Sequence, residues 1–141
     1  MTNSLESLRR MLLVILAFGV VGITIELFLI GHTKDTWEWA PILLLFVGWF
    51  VTAAAWFRPT RASVRALQLT MLLFFISGVV GLYLHYRGNV EFELEMYPTL
   101  SGFALIWQSL TGATPTLAPG TMLLLALIGL AVTFRHPALE R

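Results

Sequence analysis

Hydrophobic and polar positions along this chain fall into long blocks. Four apolar runs, Met11–Ile30, Ala40–Phe57, Ala66–Tyr86 and Ala118–Phe134, are separated by two short polar segments and one long one. Each run holds roughly 17–21 residues, enough at about 1.5 Å per residue to cross about 30 Å of hydrocarbon as a helix. No barrel-like alternation is present, and lipid cannot satisfy free backbone groups, so only helices fit. The pattern predicts an all-α integral membrane protein: one domain over residues 1–141, with four transmembrane helices.

Local signals mark the ends of the runs. Ser4 can cap the start of the first helix, and Gly31 can end it without a Cβ penalty. Asp35 or Thr36 can cap the second, and Pro41 and Pro119 fall in first turns, where a missing N–H costs little. Trp37 and Trp39 at one end of the second run and Trp56 at the other suit interfacial positions. Arg9 and Arg10 before an apolar run resemble a signal peptide. The run is longer than the usual 7–15 residues and no small-x-small site follows, so it reads as a retained span.

The outer segment 88–117 has two parts. Val90–Met96 alternates Glu91, Glu93 and Glu95 with Phe92, Leu94 and Met96, which reads as extended chain, although a short helix would also place Glu91 and Glu95 together. Pro98 can then open a helix to about Leu110, with Leu100, Phe103, Ala104 and Trp107 at helical spacing and Gly112 ending it. That helix is too short to span. It is expected in the outer interface or folded over the bundle.

Composition supports the membrane reading. The chain is 57% hydrophobic and only 12% charged, about half the charge of a soluble domain, and its mean hydropathy is +0.81. The net charge of +1 gives no general attraction to nucleic acid. The absence of cysteine excludes disulfides, thiol redox chemistry and thiolate metal sites. Of nine Lys and Arg residues, Arg9, Arg10, Arg58, Arg61, Arg65, Arg135 and Arg141 fall on one side of the predicted spans, and Lys34 and Arg87 on the other. The positive-inside rule then makes both termini cytoplasmic in a multi-pass plasma-membrane protein, of the bacterial inner-membrane kind.

An internal similarity refines the expected architecture. Phe18–Glu26 (F-G-V-V-G-I-T-I-E) matches Ser77–His85 (S-G-V-V-G-L-Y-L-H). The second and fourth runs both open on Ala-Pro and carry a mid-span glycine, Gly48 and Gly129. Residues 11–59 and 66–137 could form two parallel helical hairpins; chance similarity between Gly/Val/Leu-rich helices is the competing explanation. Gly19, Gly22 and Glu26 share one helix face, as do Gly78, Gly81 and His85. Small residues allow close helix approach. If the glycine faces meet, Glu26 and His85 become an intramembrane polar pair.

Glu26 is the one acid well inside a span, so it should face protein or water, or be protonated. It is either a proton- or cation-handling carboxylate or a structural partner of His85, Arg87 or Lys34. His85, Arg87, Glu91, Glu93 and Glu95 form a candidate outer-face site for a divalent cation or a partner; a solvated acidic loop is the plainer reading. No cofactor is predicted beyond that possible cation. No protease, hydrolase, P-loop or dinucleotide motif is present. The expected function is a non-enzymatic accessory or assembly subunit, with the lipid bilayer and other membrane subunits, or further copies of the chain, as partners. The alternatives are a minimal oligomeric transporter or channel using Glu26 and His85, and a membrane enzyme with a His/Glu metal site.

Overall fold

The computed structural model describes residues 2–140, with side chains from Ser4. Arg141 of the basic set lies outside the described residues. The chain forms α1 (Thr2–Leu29), a short 3-10 turn (Thr36–Glu38), α2 (Trp39–Phe57), α3 (Arg61–Met96), α4 (Gly102–Leu110), α5 (Gly120–Thr133) and α6 (Pro137–Glu140), with no strand among the described residues. Three helices, α1, α2 and α3, are long and apolar enough to cross a membrane.

The helix ends follow their local chemistry. α1 runs through Ser4, which is therefore inside the helix rather than its cap, and it stops before Gly31, whose φ of +67° suits a residue without a Cβ. Asp35 caps the 3-10 turn in a capping box with Glu38. α2 passes to α3 through a tight turn in which Thr60 and Ser63 form a second capping box and Ser63 Oγ donates to Arg58 O at 2.6 Å.

Two further expectations are corrected. Val90–Met96 is not extended: α3 continues unbroken through Gly88 to Met96, 36 residues or about 54 Å. The alternating glutamates misled because a strand needs a partner ladder and none is present among the described residues. Helical spacing instead pairs Arg87 with Glu91 at 2.8 Å, and the first helix-breaking proline comes only at Pro98. The fourth apolar run is also shorter than expected. α5 has 14 residues, about 21 Å, because residues 111–119 are irregular.

Four helices close a ring. α1 packs on α2, α2 on α3, α3 on α5 and α5 on α1, so α1 and α3 lie across a diagonal and their backbones do not approach closely. Arg9 of α1 bonds to carbonyls at the end of α5. The N-termini of α1 and α3 and the C-termini of α2 and α5 therefore share one end, called here the arginine end. The core joins Leu16 and Val20 of α1, Leu45 of α2, Leu67, Met71 and Phe74 of α3, and Leu125 and Ala126 of α5. Gly48 and Gly129 admit Phe74 and Met71. Only 22–28% of the apolar window of each long helix is buried. Most of the remaining apolar surface points outward, as suits helices solvated by lipid.

Candidate functional site

The polar chemistry concentrates at the end opposite the arginines. There α3 overhangs the other helices, and α4 folds back along it; among the helices α4 contacts only α3. Asn89 holds this arrangement. It is 2% exposed. Its Nδ2 donates to Ser109 O at 2.9 Å, Thr114 O at 2.7 Å and Thr116 Oγ1 at 3.1 Å, while its Oδ1 accepts from Thr114 N at 3.1 Å. Thr116 Oγ1 donates in turn to Ser109 O at 3.1 Å. Gly112 makes room for the hub, since a Cβ there would lie 2.8 Å from Asn89 Cγ. The irregular segment between α4 and α5 is thus tied to α3 at several backbone positions by one side chain.

His85 lies one helical turn before Asn89, on the same face of α3. Its Nδ1 is 3.0 Å from Pro115 O. A carbonyl can only accept, so the ring carries its proton on Nδ1. The neighbouring ring is His32, with centroids 6.5 Å apart and planes tilted by 48°. His32 Nδ1 is in turn 3.9 Å from Glu38 Oε1. Glu38 Oε2 also accepts from Lys34 N at 2.6 Å and from Asp35 N at 3.2 Å, so the carboxylate is tied to its own turn.

The remaining candidates are dispersed. Glu26 is exposed on the outward side of α1, and its side chain has no hydrogen bond or ion pair among the described residues. The structure places His85 beside His32 and Pro115. The glycine faces do not meet: Gly19 packs on Leu125, Gly78 on Leu123 and Gly81 on Pro119, all on or next to α5, while Gly22 faces open space. Arg87 and Glu91 form an exposed pair, and Glu95 lies one turn beyond on the same face. No group of three His, Asp or Glu side chains able to hold a metal ion comes together among the described residues.

Asn89 was not singled out from the sequence, because its partners lie 20–27 positions away. The available signal was an uncharged amide inside a helix, followed by the hydroxyl-rich run Thr111-Gly-Ala-Thr-Pro-Thr116. What the arrangement does chemically is to satisfy backbone. Pro115 O, Thr114 O, Thr114 N and Ser109 O are all met by side chains of α3 or by Thr116. No family model, curated protein or solved structure matches this chain.

Proposed function

We propose that the chain is a multi-pass membrane protein that acts as a non-enzymatic accessory or assembly subunit of a larger membrane complex. In this reading α1, α2, α3 and α5 each cross the bilayer, with the arginine end in the cytoplasm. The clustering of Arg9, Arg10, Arg58, Arg61, Arg65 and Arg135 at that end supports the orientation. α5 falls short of about 30 Å of hydrocarbon. The irregular segment pinned to α3 completes the fourth crossing, and non-helical backbone is tolerated at that depth where protein satisfies it.

The observation that carries the subunit reading is α4. Its buried Ser109 side faces α3, while Phe103 and Trp107, 76% and 58% exposed, point away from the chain together with Ile106 and Leu110. An apolar face held on a pinned arm suits docking to another subunit. A transport path through Glu26 and His85 gains no support from their placement: one lies on the outer surface of α1, and the other is engaged by Pro115 O.

The experiment is purification of the tagged chain from native membranes in mild detergent. Companion chains at fixed stoichiometry are expected, and Phe103→Ser with Trp107→Ser should release them without changing helicity or melting. A chain that purifies alone, free of any companion or second copy, would refute the reading.

A further inference from the structure

The arginine end holds a second feature that none of the foregoing uses. Between the first turns of α1 and the end of α5 lies a cleft of about 310 Å³, walled by Leu5, Leu8, Leu12 and Phe134 and lined also by Arg9 and Arg135. The leucines recur at helical spacing, so the apolar stripe of α1 continues past its charged residues. Leu5, Leu8 and Phe134 are all exposed and continuous with the outward apolar surface of the bundle.

Neither arginine has an acidic partner among the described residues. Arg9 Nη2 donates to Phe134 O at 3.2 Å and Arg135 O at 2.9 Å. Its Nε and Nη1 hydrogens have no partner among the described residues. Those bonds hold the carbonyl of Arg135, whose φ of +46° is unusual for a residue with a side chain. The Arg135 guanidinium lies 5.9 Å from the centroid of the Phe134 ring, and its side chain makes no hydrogen bond or ion pair among the described residues. The acid on this stretch of α1, Glu6, is taken by Arg10 at 2.7 Å. Burial, and then the positive charge of Arg9, lower the pKa of His136, the residue after Arg135. The ligand that complements an apolar trough with two guanidinium groups that lack an acidic partner is an amphiphile carrying an anionic head.

We infer that this cleft is a binding site for an anionic phospholipid, with the phosphate between Arg9 and Arg135 and an acyl chain along Leu5, Leu8 and Phe134. Basic pockets between membrane helices recognise such head groups in this way, and guanidinium suits phosphate geometry better than a point charge. The inference rests on the membrane-embedded reading of the helices and not on the subunit reading. Loss of companion chains therefore leaves it standing.

The test is native mass spectrometry of the full chain in mild non-ionic detergent, titrated with phosphatidylglycerol or with phosphatidylcholine of identical acyl chains. Phosphatidylglycerol should bind at least fivefold tighter, and Arg135→Gln and Arg9→Gln should each weaken it by about fivefold. Arg58→Gln with Arg65→Gln, at the same end but away from the cleft, should change it less than twofold. Arg135→Gln removes no side-chain hydrogen bond from the fold, so it carries the test if Arg9→Gln proves unstable. Equal affinity for the two lipids overturns the proposal, as does an equal loss from the Arg58/Arg65 pair, which would show bulk surface charge. Inorganic phosphate that displaces phosphatidylglycerol at millimolar concentration would show a free-anion site instead and overturn the lipid assignment.

Discussion

Replacing Asn89 by alanine should undock α4 and the segment that follows it while leaving the four-helix ring folded. The substitution removes the Nδ2 donors that serve Ser109 O, Thr114 O and Thr116 Oγ1, and the Oδ1 acceptor that serves Thr114 N. Ser109 O keeps its bond from Thr116 Oγ1. Thr114 N and Thr114 O lose the partner that Asn89 gives them. A buried hydrogen bond contributes about 1 kcal/mol net, and leaving a buried group unpaired costs about 1–3 kcal/mol. The docked arm should therefore lose about 2–3 kcal/mol, which is roughly a 30- to 150-fold rise in its open population.

The absence of native cysteine allows a direct assay. Ser109 is 0% exposed, and its hydroxyl has no hydrogen-bond partner among the described residues. Ser109→Cys thus places a near-isosteric thiol under α4 without sacrificing a side-chain bond. Its reaction with a maleimide in detergent reports opening of the arm, because cleavage or modification of a protected site follows the open population when closing is fast. The thiol should react slowly beside Asn89 and about 30- to 150-fold faster beside the alanine, with helicity and melting of the ring little changed. A rise of less than about threefold in a folded protein, under 1 kcal/mol, would show that something other than Asn89 holds the arm.

Gly78→Ala should cost about 1–3 kcal/mol, because the added carbon would meet Leu123 Cγ at 2.8 Å and its backbone nitrogen at 3.1 Å, forcing α3 and α5 apart. Gly22→Ala meets nothing within 4 Å and should be neutral or stabilising by up to about 1 kcal/mol; thermal melting of the two variants in one detergent makes the comparison. His136 should make the protein sensitive to mild acid. Its pKa is lowered in the folded state by burial and then by Arg9, so below about pH 6.5 the unfolded chain binds the extra proton more readily. Stability present at neutral pH should fall as pH drops below that value toward the lowered folded pKa. His136→Gln should flatten the melting temperature over that range, and an unchanged slope would remove His136 as the cause.

The long helices were legible because their signals are local and additive. Apolar runs, Gly31, Asp35 and the prolines each act within a few residues of where they stand. Two failures came from the same cause. The alternation of Glu91, Glu93 and Glu95 has the period of a strand, but a strand is defined by a partner that no local pattern can supply. The possibility that the glycine faces meet supposed two similar helices to be neighbours, whereas the ring places them across a diagonal. Asn89 stayed hidden because its meaning depends on a fold-back of more than twenty residues. Gly112 was read as a helix stop, and its missing side chain is instead the space that Asn89 occupies.

The short α5 accounts for the pairing of His85 with Asn89. Gly78 receives Leu123, and Gly81 receives Pro119 at the start of α5. Beyond that level α5 no longer accompanies α3, and the chain of residues 111–118 takes the place of the missing turns. Pro115 and Pro119 lack the N–H groups that a continuous helix would use, so the segment unwinds and its carbonyls need other donors. His85 and Asn89, four positions apart on one face of α3, supply them at Pro115 O, Thr114 O and Ser109 O. If the two act as one clamp on one segment, their contributions are coupled: once Asn89→Ala has freed the segment, His85 has little left to hold. A double-mutant cycle of His85→Ala and Asn89→Ala, read by Ser109→Cys reactivity, should therefore give a coupling of at least about 0.5–1 kcal/mol, with the double variant less open than the two single effects multiplied. Additivity within about 0.3 kcal/mol would mean that His85 serves His32 and the α1 end rather than the unwound segment. The clamp would then be Asn89 alone.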